Sequence, residues 1–176
     1  AAAGPLRCAT TPCPAWPPGV APGVKHGAWE PYRAAIRRAA AADGIDAMLF
    51  VDADGAIIDG DRALPVVLLD GDIAYAPGPD DGAVASVTLD AVRPSLADAG
   101  IELRHGRLTA DMVAAARALV LLGSGVGAVG VSEVDGAAVG DDGAVVGDDG
   151  AAVGDGTALL AAARTGLRAA GYHCDS

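Results

Sequence analysis

Lys25 is the only lysine in the 176-residue chain, the other eleven basic side chains being arginines. A neutral amine can act as a nucleophile or carry a proton, whereas a guanidinium stays protonated and does neither. A composition rich in alanine, glycine and arginine also arises where lysine codons are disfavoured, so the setting of Lys25 says more than its scarcity. Pro22-Gly23-Val24-Lys25-His26 falls just ahead of an expected helix, in a turn that can point one side chain into a cleft. The other groups with chemical potential are less ordered. His26, His105 and His173 show neither HxH nor HExxH spacing, so no metal site is expected from them. Asp52-Ala53-Asp54-Gly55 resembles the start of a calcium loop but lacks the glutamate at position twelve, and a hairpin turn accounts for it. Asp61 and Arg62 could contact a substrate, but a solvated turn pair is the preferred reading. Cys8, Cys13 and Cys174 form an odd set without CxxC spacing and read as free thiols.

The elements that must position Lys25 follow from periodicity. Residues 1–24 carry six prolines and no helical period, so they read as an extended or irregular linker, or the remnant of a preceding small domain. Glu30-Pro31 opens a helix with Tyr32, Ala35, Ile36, Ala39 and Ala40 on one face and Gly44 as its stop. Strands at 47–52 and 56–59 flank Asp54-Gly55, and strands at 64–69 and 72–76 flank Asp70-Gly71, both pairs suited to two-residue hairpin turns. Pro65 weakens the start of the second hairpin or puts it on an edge. From Val84 the period becomes helical, with Val84, Val87, Ala91 and Leu96 on one face, Pro94 as a kink and Gly100 as the stop. A strand at 101–104, a helix from the N-cap Thr109 to Ala116, strands at 119–122 and 129–134, and a terminal helix at 157–170 complete the pattern. Three heptads of the type GA(A/V)VGDD fill residues 136–156; three short copies cannot bury a solenoid core, so they read as an expanded hairpin loop.

Composition bounds the partners. Hydrophobic residues make up 52% and aromatics only 3%, which is globular but leaves a core of small side chains. A formal charge of −11 repels nucleic acid and anionic lipid, and no apolar run approaches the roughly 20 residues of a membrane span. No nucleic-acid partner, no membrane partner and a cytoplasmic location are the resulting expectations. The chain begins without methionine, which suggests a processed form or a fragment.

The ordered set of segments resembles the fold-type IV enzymes that use pyridoxal 5'-phosphate (PLP), the class IV aminotransferases, on the side of aminodeoxychorismate lyase and branched-chain aminotransferase. The resemblance runs through Pro22–His26, the strand pair from Ala47 to Gly60, Leu69–Pro77, Val84–Leu89, the loop near Ser124 and Val134-Asp135-Gly136. It implies an α/β fold with a mixed, curved sheet or pseudo-barrel flanked by helices, residues 25–176 forming the large, cofactor-binding domain. It also implies PLP as cofactor, with Lys25 as the Schiff-base lysine and Asp59 as the partner of the ring nitrogen. Val87 and Thr88 at a helix N-terminus, with Ser124 and Gly125 in a later loop, would hold the phosphate. Trp29 or Tyr32 would stand in for a tyrosine that contacts the ring. A small-molecule substrate, and a homodimer or a partner chain supplying the small domain, are implied as well. The Lys25-His26 pair favours a lyase acting on an amino-chorismate-type substrate over an aminotransferase. Asp59 replaces the usual glutamate, Leu64 an asparagine, Leu89 an arginine and Gly127 a glutamate. These departures keep open a second reading, a catalytically degenerate homologue with a binding or assembly role.

Overall fold

In the computed structural model, which describes residues 4–39, 44–140, 145–146, 152–153 and 156–172, the apolar runs pair into one mixed sheet. Its strands are β1 (Leu6–Pro12), β2 (Ala47–Val51), β3 (Ile57–Gly60), β4 (Leu64–Leu69), β5 (Ile73–Ala76), β6 (Glu102–His105), β7 (Ala118–Gly123), β8 (Gly127–Val134) and β9 (Ala137–Ala138). They are ordered β3-β2-β1-β8-β7-β4-β5-β6, with β9 added beside β8. The two edges curl toward each other: Ile57 on β3 exchanges backbone hydrogen bonds of 2.8 and 3.0 Å with Leu108, just beyond β6. The sheet is therefore curved as expected, into a half-barrel whose outer strand β3 is bridged to the segment just beyond β6.

One sequence expectation is corrected at the centre of this sheet. Residues 6–12, read as part of a linker, form β1, which lies between β2 and β8 and runs parallel to both. Cys8 is fully buried and Thr11 nearly so, giving β1 inward-facing side chains, and Pro12 stands at the strand's end. The density of prolines hides this short strand in the sequence; residues 13–29 after it are irregular, as expected.

Alternation on the strands separates two apolar layers. On β7, Leu119 and Leu121 face the inside of the curl with Cys8, Leu49, Val67 and Val131, while Val120 and Leu122 face outward. The outer face is covered by α2 (Val87–Asp98) and α4 (Gly156–Ala169), whose Leu96, Val92, Leu159 and Leu167 are buried against it. Each fully buried aliphatic side chain contributes roughly 1.5–3 kcal/mol. The helices pack backbone to backbone: a Cβ on Gly166 would sit 2.7 Å from the Cα of Val92. α2 passes through Pro94, but its buried face is Thr88, Leu89, Val92 and Leu96, one step round from the expected one. Val87, placed on the buried face by periodicity, is 67% exposed because it is the first helical residue and opens onto a cleft.

The hairpins form, with longer turns than expected. Between β2 and β3 the Asp52 carboxylate accepts hydrogen bonds from the amides of Asp54 (2.9 Å) and Ala56 (3.0 Å), and Gly55 takes a left-handed φ of 82°. The acids of this stretch thus shape a turn, and Arg107 pairs with Asp52 at 2.6 Å. Between β4 and β5, Leu69 pairs with Ile73, and Gly71 and Asp72 both adopt positive φ. Pro65 lies beside β7, while β5 joins β4 only from Val67, so the proline sits where one side of the strand is locally an edge. α3 (Ala110–Ala114) is capped by Thr109, as read from the sequence. α1 (Glu30–Ala39) buries Tyr32 and leans Ala35 and Ile36 on Phe50 and Ile58. Most of the repeat at 136–156 lies outside the described residues; Val145–Val146 and Ala152–Val153 form a two-stranded ribbon, β10 and β11.

Candidate functional site

The turn that carries Lys25 is fixed by Gly23. With φ at 77°, Gly23 presses against the single helical turn Pro79–Asp81: a Cβ there would lie 2.8 Å from the Ala83 carbonyl oxygen and 2.9 Å from the Cα of Pro79. Only glycine meets both the conformation and the approach. This contact ties the segment before α1 to the exit of the β4–β5 hairpin, and Lys25, two residues on, borders the cleft between them.

The cleft has two lobes that share Lys25, Trp29, Asp59, Gly60, Asp61, Arg62 and Val84. The first, of about 310 Å³, runs beneath α1. The second, of about 220 Å³, is bordered by Val87, Thr88 and Ser124. Thus Lys25, Asp59, Val87, Thr88 and Ser124, singled out from sequence, converge on one cleft. Gly125 does not: it lines a neighbouring cavity of about 260 Å³ with Leu6, Asp46 and Val129.

Asp59 lies at the junction of the lobes, at the end of β3. Its two carboxylate oxygens accept hydrogen bonds from the amides of Gly60 (2.8 Å) and Val84 (3.0 Å). Burial pushes its pKa up to about 6, against the opposing pull of those two amides. No cationic side chain pairs with it among the described residues, so the carboxylate suits a ligand that brings a positive charge.

At the second lobe, α2 begins with Ser86 as N-cap. The Ser86 hydroxyl accepts from the Leu89 amide at 3.1 Å and lies 2.9 Å from the Thr88 hydroxyl. The backbone N–H groups of a helix's first turn lack intrahelical partners, and with the helix dipole they favour an anion. Ser124 adds a hydroxyl from the β7–β8 loop, entered by Gly123, where a Cβ would meet the Arg62 carbonyl oxygen at 2.8 Å. The lobe therefore offers an anion cradle at one end and a buried carboxylate at the other. An aromatic cation bearing a phosphate fits that donor set.

Sequence reasoning missed several residues here. Asp61 is no solvated turn residue: its side chain is 7% exposed, burial raises its pKa, and its Oδ1 has no hydrogen-bond partner among the described residues. Arg62 pairs with Asp61 at 3.3 Å and borders both lobes. Trp16, in the proline-rich stretch, reaches the first lobe. Ser86 was legible as an N-cap, since a serine stands three residues before the helical Leu89. Leu64 and Leu89 are both buried, Leu89 within the apolar layer under α2.

A mixed sheet curled into a half-barrel, helices on its outer face and an anion cradle at a helix N-terminus define the class of α/β protein. The family model of amino-transferase class IV matches residues 2–134. The chain belongs to that family. Among solved structures it is similar to a fold IV-transaminase from Curtobacterium pusillum, at 28% identity and a TM-score of 0.66, covering 80% of this chain and 50% of that one. It is also similar to the T.th. branched-chain amino acid aminotransferase complexed with N-(5'-phosphopyridoxyl)-L-glutamate, at 25% identity and a TM-score of 0.73, covering 94% and 51%. The branched-chain amino acid aminotransferase from Escherichia coli shares the fold, at 22% identity and a TM-score of 0.66, covering 78% and 46%. The chain spans about half the length of the structures it matches. No curated protein sequence matches it. Among the described residues no helix is long and apolar enough to cross a membrane.

Proposed function

We propose that this chain is the cofactor-binding portion of a PLP-dependent enzyme, an aminotransferase or a lyase, with Lys25 as its reactive amine. The observation that carries the reading is the convergence of Lys25, Asp59, Val87, Thr88 and Ser124, assigned together from the family resemblance in the sequence, on one cleft. When bound, the cofactor supplies an electrophilic aldehyde and a ring that withdraws electrons from the substrate carbon. Asp59 would face the ring nitrogen, supplying a buried negative charge to hold a proton there. The Val87 and Thr88 amides and the Ser124 hydroxyl would hold the phosphate. Lys25 would anchor the group covalently and, once released, hold or deliver a proton at its Nζ. Gly23 and the turn it packs on keep that amine at the cleft's border.

Within this reading, the lyase alternative rests on His26, whose Nδ1 accepts a hydrogen bond from the Ala28 amide at 3.2 Å and whose ring stacks on Trp29. A homodimer, or a partner chain supplying a small domain over Lys25, is part of the same proposal, since the lysine side is the open one. A degenerate homologue is the second reading. It is favoured by Leu89, which packs into the core where the family carries an arginine. Mixing the protein with PLP and recording visible absorbance separates the two. A new band in the wild type, absent in Lys25→Ala, supports the enzyme; no band in either supports the degenerate homologue.

A further inference from the structure

The chain has only six aromatic side chains, and four of them, Trp16, Trp29, Tyr32 and Phe50, line the first lobe. They form a contiguous cluster with His26. Trp16 meets His26 and Tyr32 edge-on, at ring separations of 5.6 and 6.5 Å, and Tyr32 stands perpendicular to Phe50 at 5.4 Å. A protein short of aromatics would place them in its core if packing were their role, since they bury the most area per residue. Tyr32 and Phe50 do serve packing here, at 9% and 4% exposed, but Trp16 is half-buried and Trp29 is 42% exposed, and among the described residues the exposed large apolar side chains are Val24, Trp29 and Val87, all at the cleft.

The lobe's polar groups match this shape. Burial pushes the Cys13 thiol to about 11 and the Tyr32 hydroxyl to about 12, so both walls are neutral at physiological pH. Tyr32 Oη, beside that thiol, has no well-formed hydrogen bond among the described residues, and Tyr32 is only 9% exposed. Arg33 and Arg62 border the same lobe; Arg33 is exposed, and its guanidinium hydrogen-bonds to none of the described residues. A volume of about 310 Å³ accommodates a ring with a short chain.

We propose that the first lobe is the specificity recess for the substrate side chain, and that it selects carboxylates bearing an aromatic ring over aliphatic ones. The aromatic walls take the ring in edge-to-face contact, and the exposed Arg33 meets the carboxylate. The inference deepens the cofactor reading, on which it rests for the identity of the site, but it can be tested apart from it.

Both tryptophans of the chain line the recess, so intrinsic fluorescence reports directly on its occupancy. The full chain is titrated with 3-phenylpropionate and, separately, with 4-methylvalerate, in the absence and presence of PLP. The expected result is a saturable fluorescence change with at least tenfold tighter binding of the aryl acid. Trp16→Leu, which keeps Trp29 as reporter, should weaken that binding more than fivefold. Arg33→Gln, an exposed change that leaves packing alone, should weaken both acids alike. Lys25→Ala should lose the PLP band yet keep the aryl preference. Equal binding of the two acids, or no saturable change beside an intact PLP band, overturns the recess. Aryl preference without any PLP band supports the recess and overturns the cofactor reading instead.

Discussion

The outer face of the sheet and the Lys25 cleft are built from opposite materials. Under α2 and α4 the side chains are leucine, valine and alanine, many of them fully buried, with Gly166 letting the two helices touch. Across the molecule, the cleft beneath α1 holds most of the aromatic residues, and Trp29 there stays 42% exposed. Small aliphatics suffice where burial is permanent, because their close packing excludes water. Phe50 and Tyr32 are buried there, but Trp16 and Trp29, left partly in water, do little for folding, so their place beside the only lysine reflects what the cleft receives.

This contrast gives a graded set of expectations for chemical denaturation. Leu96→Ala, under α2, should destabilise most, by about 2–5 kcal/mol, as a cavity opens in a layer with no room to collapse. Gly166→Ala should cost about 1–3 kcal/mol by wedging α2 from α4; an unchanged midpoint would show that the helices can slide apart freely. Asp59→Asn addresses the junction of the lobes. The native carboxyl, with its pKa raised from 3.8 to about 6, binds its proton more tightly than the unfolded chain does. Stability should therefore fall as pH rises from about 4 to about 6, by about 2 kcal/mol, and stay level above that. In Asp59→Asn most of this slope should disappear, leaving the part that Asp61, also raised by burial, contributes; an unchanged slope would assign it to another group. Trp29→Ala should cost least, within about 1 kcal/mol, although tryptophan is far larger than leucine. If Trp29→Ala proves as damaging as Leu96→Ala, the cleft aromatics belong to the core after all.

Much of this was legible in the sequence because its signals are local. Asp-Gly pairs between apolar runs announced the hairpins, Thr109 announced α3, and the spacing after Lys25 announced α1. The order of these segments carried the family resemblance and, with it, five residues that the fold brings to one cleft. What the sequence concealed depends on tertiary contacts. β1 is short and surrounded by prolines, and only its partners on either side reveal it as a central strand. The rotation of the buried face of α2, which leaves Val87 at the cleft, is set by where the helix starts relative to the Ser86 cap. Asp61 and Arg62 resemble any charged turn pair until the strands enclose them. Gly125 sits beside Ser124 in sequence, yet the turn of the β7–β8 loop directs it to another cavity.

If Lys25 is the amine to which PLP attaches, the bond can be trapped. The protein is incubated with PLP, reduced with borohydride, digested and mapped by peptide mass. One permanently labelled peptide is expected, spanning Lys25, with near-stoichiometric incorporation and none in Lys25→Ala. Labelling confined to the chain's amino terminus, with Lys25 unmodified, would contradict the assignment.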